Sequence, residues 1–266
     1  MPELPEVETI KRELLKTVLG KKIIAVRVHQ PKVIREPAME KFQKGLAGAG
    51  IKNILRKGKL LLLELTTGKT LSIHLKMTGQ LVYPGNGKAS RVSFHFSDGK
   101  ILDFNDQRLF AELRLVDDWR RLKFIQNLGP EPFEINTARF KEMLAAKKTK
   151  IKPLLMDQSF IAGVGNLYAA EALFRARIHP ARAANSLSEK EKTLLFKEIK
   201  DTLSEAIEHK GSSVDQYVQL TGQPGSYARF HKVYDRAGKP CLVCKALIQR
   251  ISLGGRGTYF CPRCQK

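Results

Sequence analysis

The spacing of apolar side chains near the start of the chain predicts one amphipathic helix. Apolar residues recur there at three- and four-residue intervals, which places them on one helix face. They are Val7, Ile10, Leu14 and Val18, and Gly20 follows as a glycine C-cap. We expect this helix to hold the residues that precede it at a fixed place.

Beyond this helix the apolar positions form short runs of the β type. Turn-forming pairs such as Thr67-Gly68 and Asp98-Gly99 separate them. The predicted strands are Ile23 to Val28, Ile51 to Leu55, Lys59 to Leu65, Thr70 to Leu75, Gln80 to Tyr83, Val92 to Phe96 and Ile101 to Phe104. Many short strands at this spacing predict a β-sandwich.

The second half of the chain returns to helical patterning. Residues 119–136 contain Gly129-Pro130-Glu131-Pro132 and are expected to form a linker, and residues 188–209 form a charged amphipathic helix. The predicted class is therefore α+β. Its predicted parts are a β-sandwich domain at residues 1–118, the linker at 119–136, a helical domain at 137–234 and a cysteine-containing tail at 235–266.

The charge balance indicates a polyanionic partner. The 266 residues include 47 Lys and Arg against 26 Asp and Glu, a net charge of +21. Nucleic acid fits this excess, as would a ribosomal or membrane-surface role. The sequence has no run of 18 apolar residues and no basic, then apolar, start, so neither membrane insertion nor secretion is expected. The cytoplasm is the default expectation.

Four cysteines near the carboxyl end form two closely spaced pairs. Cys241 and Cys244 are separated by two residues, as are Cys261 and Cys264, and 16 residues lie between the pairs. This spacing favours a structural four-thiolate site for one zinc ion. Disulfides are the alternative, and a reducing cytoplasm disfavours them. Residues 235–266 carry seven Lys or Arg and one acid, so we expect the tail to face DNA.

The first residues of the chain carry the candidate chemistry. Removal of Met1 would make Pro2 a terminal secondary amine, and an α-amino group has a pKa of about 8. A neutral amine of this kind attacks an aldehyde-like carbon to give an iminium. Glu3 and Glu6 are carboxylates beside it, able to exchange protons. The alternative is a frayed terminus that only precedes the helix.

The string Pro-Glu-Leu-Pro-Glu-Val-Glu-Thr at residues 2–9 resembles the amino terminus of bacterial formamidopyrimidine-DNA glycosylases. The resemblance extends along essentially the whole chain. It implies that Pro2 is the catalytic nucleophile, that Glu3 is the principal acid/base residue and that Glu6 supports it. It also implies an amino-terminal helix on the β-sandwich, a helix-two-turns-helix element in the helical domain and a zinc ribbon at the end.

The resemblance assigns further residues in the first domain. Lys59 follows the basic turn Arg56-Lys57-Gly58, which by itself reads equally well as a solvated turn. The family places a lysine there that reaches the lesion. Met77 matches a methionine wedge, and Arg108 and Phe110 match a loop that enters DNA, since an apolar wedge unstacks bases. Taken singly, Met77 and Phe110 read more naturally as core residues.

In the second half, Gly163-Val164-Gly165 precedes a helix and brings backbone N–H groups close to an anion. A dinucleotide-binding motif is excluded, since no strand leads in and the third glycine is missing. The resemblance makes Asn166 a phosphate contact, Lys152 a nearby basic contact, and Arg256 a hairpin-tip residue that assists late elimination. It also implies that the turn-rich stretch at residues 219–227 covers the everted base.

The chain departs from the family pattern at three places. Lys88-Ala89-Ser90-Arg91 stands where a Lys-His-Asp-His-like run is usual, so a histidine contact to phosphate is absent and Arg91 replaces it only in part. Leu109 replaces the second of two basic residues, and Ala111 replaces a glycine. These changes bear on affinity and substrate preference and leave the chemistry intact.

These observations predict a bifunctional DNA glycosylase and abasic-site lyase of base excision repair. It would excise oxidised purines such as 8-oxoguanine and formamidopyrimidines from duplex DNA, by a Pro2 Schiff base with β- and δ-elimination. One structural zinc is expected and no redox or nucleotide cofactor. The expected enzyme is a monomer in a bacterial cytoplasm, associated with DNA. Alternatives are an endonuclease VIII-like enzyme for oxidised pyrimidines and a non-catalytic zinc protein that binds damaged DNA.

Overall fold

A computed structural model describes residues 1–88, 90–214 and 216–266 of the chain. These residues divide into two compact units. Unit 1 consists of Met1–Gln126 and His209–Ala228, and unit 2 of Asn127–Glu208 and Arg229–Lys266. The helical domain expected at residues 137–234 thus includes a segment, 209–228, that packs with unit 1. The domain boundaries drawn from the sequence stay a prediction.

The described residues of unit 1 form two β-sheets, two main α-helices and one short α-helix. The helices are α1 (Leu4–Thr17), α2 (Met39–Leu46) and α3 (Lys123–Gln126). The strands are β1 (Ile23–Val28), β2 (Ile34–Glu36), β3 (Ile51–Lys57), β4 (Leu60–Leu65), β5 (Thr70–His74), β6 (Gly79–Val82), β7 (Val92–Phe96), β8 (Ile101–Asp106) and β9 (Glu112–Val116).

The sheets follow the order β2-β9-β5-β4-β3 and β1-β7-β8-β6. Neighbouring strands run antiparallel, apart from the parallel pair β2 and β9. Leu61 and Ile73 from the first sheet and Phe94 and Phe104 from the second belong to one buried apolar cluster. The α+β class and the helix followed by a sandwich of short strands are therefore confirmed.

Helix α1 belongs to the same cluster. Val7, Ile10 and Leu14 are fully buried along one face, as the spacing predicted. The residues that flank α1 are therefore tied to the main core of unit 1.

The sequence did not predict α2, β2 or β9. Helix α2 buries only Phe42 and Leu46 over eight residues, too short a segment for a helical period to stand out. Strand β9 alternates buried Leu113 and Leu115 with polar residues, but it lies next to the stretch taken as a linker. That stretch itself contains the short helix α3.

Unit 2 is mainly helical and ends in a β-hairpin. Its helices are α4 (Thr137–Ala145), α5 (Ile151–Met156), α6 (Asn166–Arg175) and α7 (Glu189–Glu208), and its strands are β10 (Gln249–Leu253) and β11 (Arg256–Phe260). Helix α7 confirms the charged amphipathic helix expected at residues 188–209. Among the described residues, no helix combines the length and apolar character needed to cross a membrane.

Candidate active site and nucleic-acid interface

A capping box fixes the residues directly after Pro2. Glu3 is the N-cap of α1, and its side chain accepts the Glu6 backbone N–H. In return, Glu6 Oε2 accepts the Glu3 N–H at 2.8 Å. Pro5 lies in the first turn, where its missing N–H costs nothing. Pro2, Glu3 and Glu6 are all buried, whereas Met1 is 42% exposed.

Glu6 also joins the helix start to the segment 209–228. Its Oε1 accepts the backbone N–H of Ser212 at 2.9 Å, across 206 positions of sequence. Gly211 has φ +77°, and a Cβ at that residue would lie 2.9 Å from Glu6 Oε1. Glycine therefore permits the close approach, and each Glu6 oxygen accepts a backbone donor. Such a carboxylate is well placed to position its neighbours.

Glu8 holds the turn that leads to Lys59. Its carboxylate accepts hydrogen bonds from the Nε atoms of Arg56 and Arg12, both at 2.9 Å. Burial by itself raises the pKa of Glu8, but the hydrogen bonds from the two guanidinium groups outweigh it and hold that pKa below its usual value. Arg56 also donates from Nη1 to the Gly58 carbonyl at 3.0 Å, one residue before Lys59.

Lys59 is only 8% exposed, so it is not part of a solvated basic turn. Its neighbour Leu60 pairs with His74 across β4 and β5. Burial, together with the nearby charges of Lys76 and Lys59, lowers the pKa of His74 to about 3. His74 is therefore neutral at physiological pH, and its Nδ1 accepts the Lys76 N–H at 3.1 Å.

Two turns of unit 1 present the residues matched to DNA insertion. Phe110 is 47% exposed and Met77 is half-buried, so neither lies in the core that each suggested when taken singly. The Arg108 guanidinium carbon lies over the Phe110 ring, 4.8 Å from its centroid. This cation–π contact holds both side chains together at the surface.

Leu109 and Arg91, two of the residues that depart from the family pattern, make contacts within unit 1. Leu109 packs against the main cluster of unit 1 and has φ 57°. It therefore anchors its loop inward, where a basic residue would extend outward. Arg91 donates from Nε to the Asp106 carbonyl at 3.1 Å, which commits part of its guanidinium group to the protein. Ala89 lies outside the described residues.

Leu220 joins the turn-rich stretch at residues 219–227 to the amino-terminal part of unit 1. The Leu220 N–H donates to Glu13 Oε2 at 2.7 Å, and its carbonyl accepts the Tyr83 N–H at 2.7 Å. Glu13, which the sequence did not single out, thereby anchors this stretch. No local signal could have found it, because its partner lies 207 positions away.

Unit 2 brings Lys152 and Asn166 together with the terminal hairpin. Lys152 Nζ donates to Asn166 Oδ1 at 2.5 Å and to Thr258 Oγ1 at 2.8 Å. The Asn166 amide donates to the Gly257 carbonyl at 3.2 Å. Lys152 is 1% exposed, so it lies in the protein interior, and its hydrogen bond orients Asn166 at the start of α6. Thr258 was not singled out from the sequence.

Arg256 is exposed at the tip of the β10–β11 hairpin. Gly254 and Gly255, with φ of +59° and +71°, form the turn before it, and Arg256 pairs with Leu253 across the hairpin. The two glycines supply left-handed backbone that other residues rarely adopt. Arg256 therefore stands at a solvent-facing position two residues before the buried Thr258.

The four cysteines converge on one point. The Sγ atoms of Cys241, Cys244, Cys261 and Cys264 all lie within 4.8 Å of one another, with Cys244 and Cys261 at 3.4 Å. Zinc–sulfur bonds of about 2.3 Å in a tetrahedron place sulfur atoms about 3.8 Å apart. A disulfide bond would need about 2.05 Å. The geometry therefore fits one structural zinc ion, and the four thiolates leave no open coordination position.

Three family models match consecutive parts of the chain. They are the formamidopyrimidine-DNA glycosylase N-terminal domain at residues 1–113, the formamidopyrimidine-DNA glycosylase H2TH domain at 128–218, and a zinc finger found in FPG and IleRS at 238–266. Formamidopyrimidine-DNA glycosylase of Pelotomaculum thermopropionicum is 46% identical, with 100% of this chain and 99% of the relative covered. The protein of that name from Streptococcus pneumoniae is 43% identical over the same shares.

Solved structures of Lactococcus lactis FPG are similar over nearly the whole chain. A mutant with Fapy-dG-containing DNA has a TM-score of 0.91 and 37% identity, covering 100% of both chains. A complex with abasic-site DNA has a TM-score of 0.90 and 36% identity, covering 99% of both chains. The wild-type protein with oxidised-pyrimidine-containing DNA has a TM-score of 0.90 and 36% identity, covering 100% of both chains.

Proposed function

This chain belongs to the formamidopyrimidine-DNA glycosylase family, and from that premise we propose that Pro2 is the nucleophile with which it excises oxidised purines and cleaves abasic sites in DNA. The observation that carries this proposal is the capping box of α1. It fixes Glu3 immediately after Pro2, and both residues are buried directly before a helix held by the core of unit 1. A nucleophile and an acid/base group are thereby preorganised.

The reaction begins once Met1 has been removed, because an amide nitrogen shares its lone pair with the carbonyl. The neutral Pro2 amine attacks C1′ of the lesion nucleotide, and the base departs after taking up a proton. Opening of the sugar ring gives a cationic iminium on C1′. This cation acidifies the C2′ protons, so loss of a proton expels the 3′ phosphate and a further elimination expels the 5′ phosphate.

Each neighbouring residue then has a defined task. Glu3 donates and accepts protons at the sugar, and Glu6 keeps Glu3 in place through its backbone N–H. Lys59 and Arg256 bind departing groups, and Lys59 protonates them, because a guanidinium group keeps its proton. The half-buried or exposed Met77, Arg108 and Phe110 enter the duplex as the lesion is extruded, and the amide of Asn166, oriented by Lys152, binds a phosphate.

Each predicted domain supplies a different part of the proposed site. Residues 1–118 carry the nucleophile and the inserting residues, and residues 137–234 and 235–266 supply the phosphate contact and the zinc ribbon. The relatives reported above come from bacteria. We accordingly assign the enzyme to the bacterial cytoplasm, where it acts on DNA.

Oxidised pyrimidines are a second candidate substrate class. The Lactococcus lactis relative has been solved with DNA that contains an oxidised pyrimidine. A panel of duplexes, each with one defined purine or pyrimidine lesion, ranks the two classes by single-turnover excision rates. Faster excision of pyrimidine lesions would favour the endonuclease VIII-like alternative.

Borohydride trapping tests the nucleophile. Reduction of the enzyme with damaged duplex should give a stable cross-link, and peptide mapping should place it on Pro2. A form that retains Met1 should give no cross-link and no strand cleavage. A cross-link on Lys59, or full activity with Met1 in place, would overturn the proposed nucleophile. Binding without any cross-link or cleavage would favour the non-catalytic binder.

A further inference from the structure

Asp106, the last residue of β8, is a buried carboxylate that receives donors from two separate turns. It is 1% exposed. Its Oδ1 accepts the Thr78 hydroxyl and the Arg108 N–H, the latter at 3.3 Å. Its Oδ2 accepts the Ala111 N–H at 2.7 Å. Thr78 Oγ1 in turn accepts the Arg108 N–H at 3.0 Å. One carboxylate and one hydroxyl thus hold both turns.

These two turns carry the side chains proposed to enter DNA. The first, residues 75–78, presents Met77, and the second, residues 107–110, presents Arg108 and Phe110. Each contains a residue other than glycine in the left-handed region, Lys76 at φ 50° and Leu109 at φ 57°. Such a conformation is unfavourable for these residue types and persists when surrounding contacts hold it.

From this arrangement we propose that Asp106 is a positioning residue that, through Thr78, locks Met77, Arg108 and Phe110 into one preassembled inserting unit. The proposal rests on the function proposed above and adds a residue to it. Because the turns are ordered before DNA arrives, the three side chains enter the duplex together. Loosening the lock would slow extrusion of the base and leave the chemistry at an already exposed sugar unaffected.

Thr78→Val is the primary test. Valine keeps the shape of threonine but removes the hydroxyl that joins Asp106 to the Arg108 N–H. Thr78→Ser restores that hydroxyl and is the conservative rescue. Asp106→Ala removes the carboxylate itself, and its matched control is Asp103→Ala. Asp103 is another buried carboxylate on β8, and it accepts the N–H groups of Asn86 and Gly87 at 2.9 and 3.0 Å, away from both turns.

Two measurements separate extrusion from chemistry. The first is single-turnover excision of an oxidised purine from duplex, compared with cleavage of a preformed abasic site in a single strand. The second is the fluorescence of 2-aminopurine placed next to the lesion, which reports unstacking without any chemical step. We expect Thr78→Val to slow duplex excision and unstacking by roughly ten- to a hundred-fold, as displaced catalytic geometry typically does. Single-strand cleavage should stay within about twofold, and Thr78→Ser should behave as the unmodified enzyme does.

The proposal is wrong if Thr78→Val unstacks duplex DNA at the unmodified rate, or if it slows both substrates equally. It is also wrong if Asp103→Ala slows unstacking as much as Asp106→Ala does, because general loss of sheet stability would then be the cause. Unstacking is measured without bond cleavage. A missing borohydride cross-link would therefore overturn the Pro2 nucleophile, while the lock at Asp106 would still be judged by fluorescence.

Discussion

Helix α1 and the cysteine ribbon, residues 235–266, carry the two most recognisable motifs of the chain, yet they are held in different ways. Val7, Ile10 and Leu14 of α1 are fully buried in the large cluster shared by both sheets. Among the described residues, the buried cluster that includes part of the ribbon has six members, and two of them are Cys241 and Cys261. The ribbon also leaves Val243 and Leu247 exposed, at 64% and 60%.

The difference shows that two kinds of order coexist in one chain. Burial of apolar surface supplies the free energy that fixes α1, so its polar residues are free to serve the chemistry. The ribbon buries Ile248, Leu253 and Phe260, but its other large apolar side chains lie partly or largely in solvent. A segment of this kind buries too little to fold on hydrophobic contacts, and the metal supplies the difference.

Zinc removal should have the largest effect, and it should unfold the ribbon while α1 stays folded. Binding of structural zinc is typically worth on the order of 10 kcal/mol, so chelation or Cys241→Ser should unfold the ribbon and weaken DNA binding. Amides of α1 should remain protected in hydrogen exchange and serve as the internal control. Protected ribbon amides without metal, or DNA affinity unchanged in Cys241→Ser, would contradict the structural role of zinc.

Leu14→Ala should lower the free energy of unfolding of unit 1 by about 2 to 5 kcal/mol, because it opens a cavity in a fully buried site. Ile248→Ala in the ribbon is the matched truncation. Excess zinc should raise the denaturation midpoint of Ile248→Ala by mass action and leave that of Leu14→Ala unchanged. The contrast between the regions fails if zinc rescues both variants or neither.

Glu8→Gln should cost about 1 to 3 kcal/mol at neutral pH, since it removes the negative charge that pairs with the half-buried Arg56. The pKa of Glu8 is lowered from 4.5 in the folded state, so its stabilisation is present above pH 4.5 and is lost as pH falls through the folded value. Denaturant midpoints of the two proteins should converge on acidification. A pH-independent difference would mean that the ion pair does not contribute.

Phe110→Ala should have the smallest effect on stability, within about 0.5 kcal/mol, because the ring is 47% exposed. It should nevertheless slow excision from duplex, as should Met77→Ala and Arg108→Ala. Phe133, which is 42% exposed and lies outside the inserting unit, provides the control, and Phe133→Ala should change neither quantity. A melting temperature lowered by several degrees with unaltered excision would assign Phe110 to packing instead.

The sequence by itself determined the helix α1, most of the strands of unit 1, helix α7 and the four-thiolate site. Each of these depends on a local signal, either the period of apolar residues or the spacing of ligands within a short segment. The start of the chain identified Pro2 and Glu3 as candidate chemistry in the same way. It could not show that Glu6 would also accept a distant backbone donor, the Ser212 N–H.

Only the tertiary structure decided which polar groups meet. Glu6 and Ser212 are 206 positions apart, Lys152 and Thr258 are 106 apart, and Asp106 and Thr78 are 28 apart. A buried polar atom requires a partner, but any donor or acceptor that the fold brings within about 3 Å satisfies it. Residue type and local spacing therefore do not encode the pairing. It follows from the paths of the strands and helices once the apolar cores have formed.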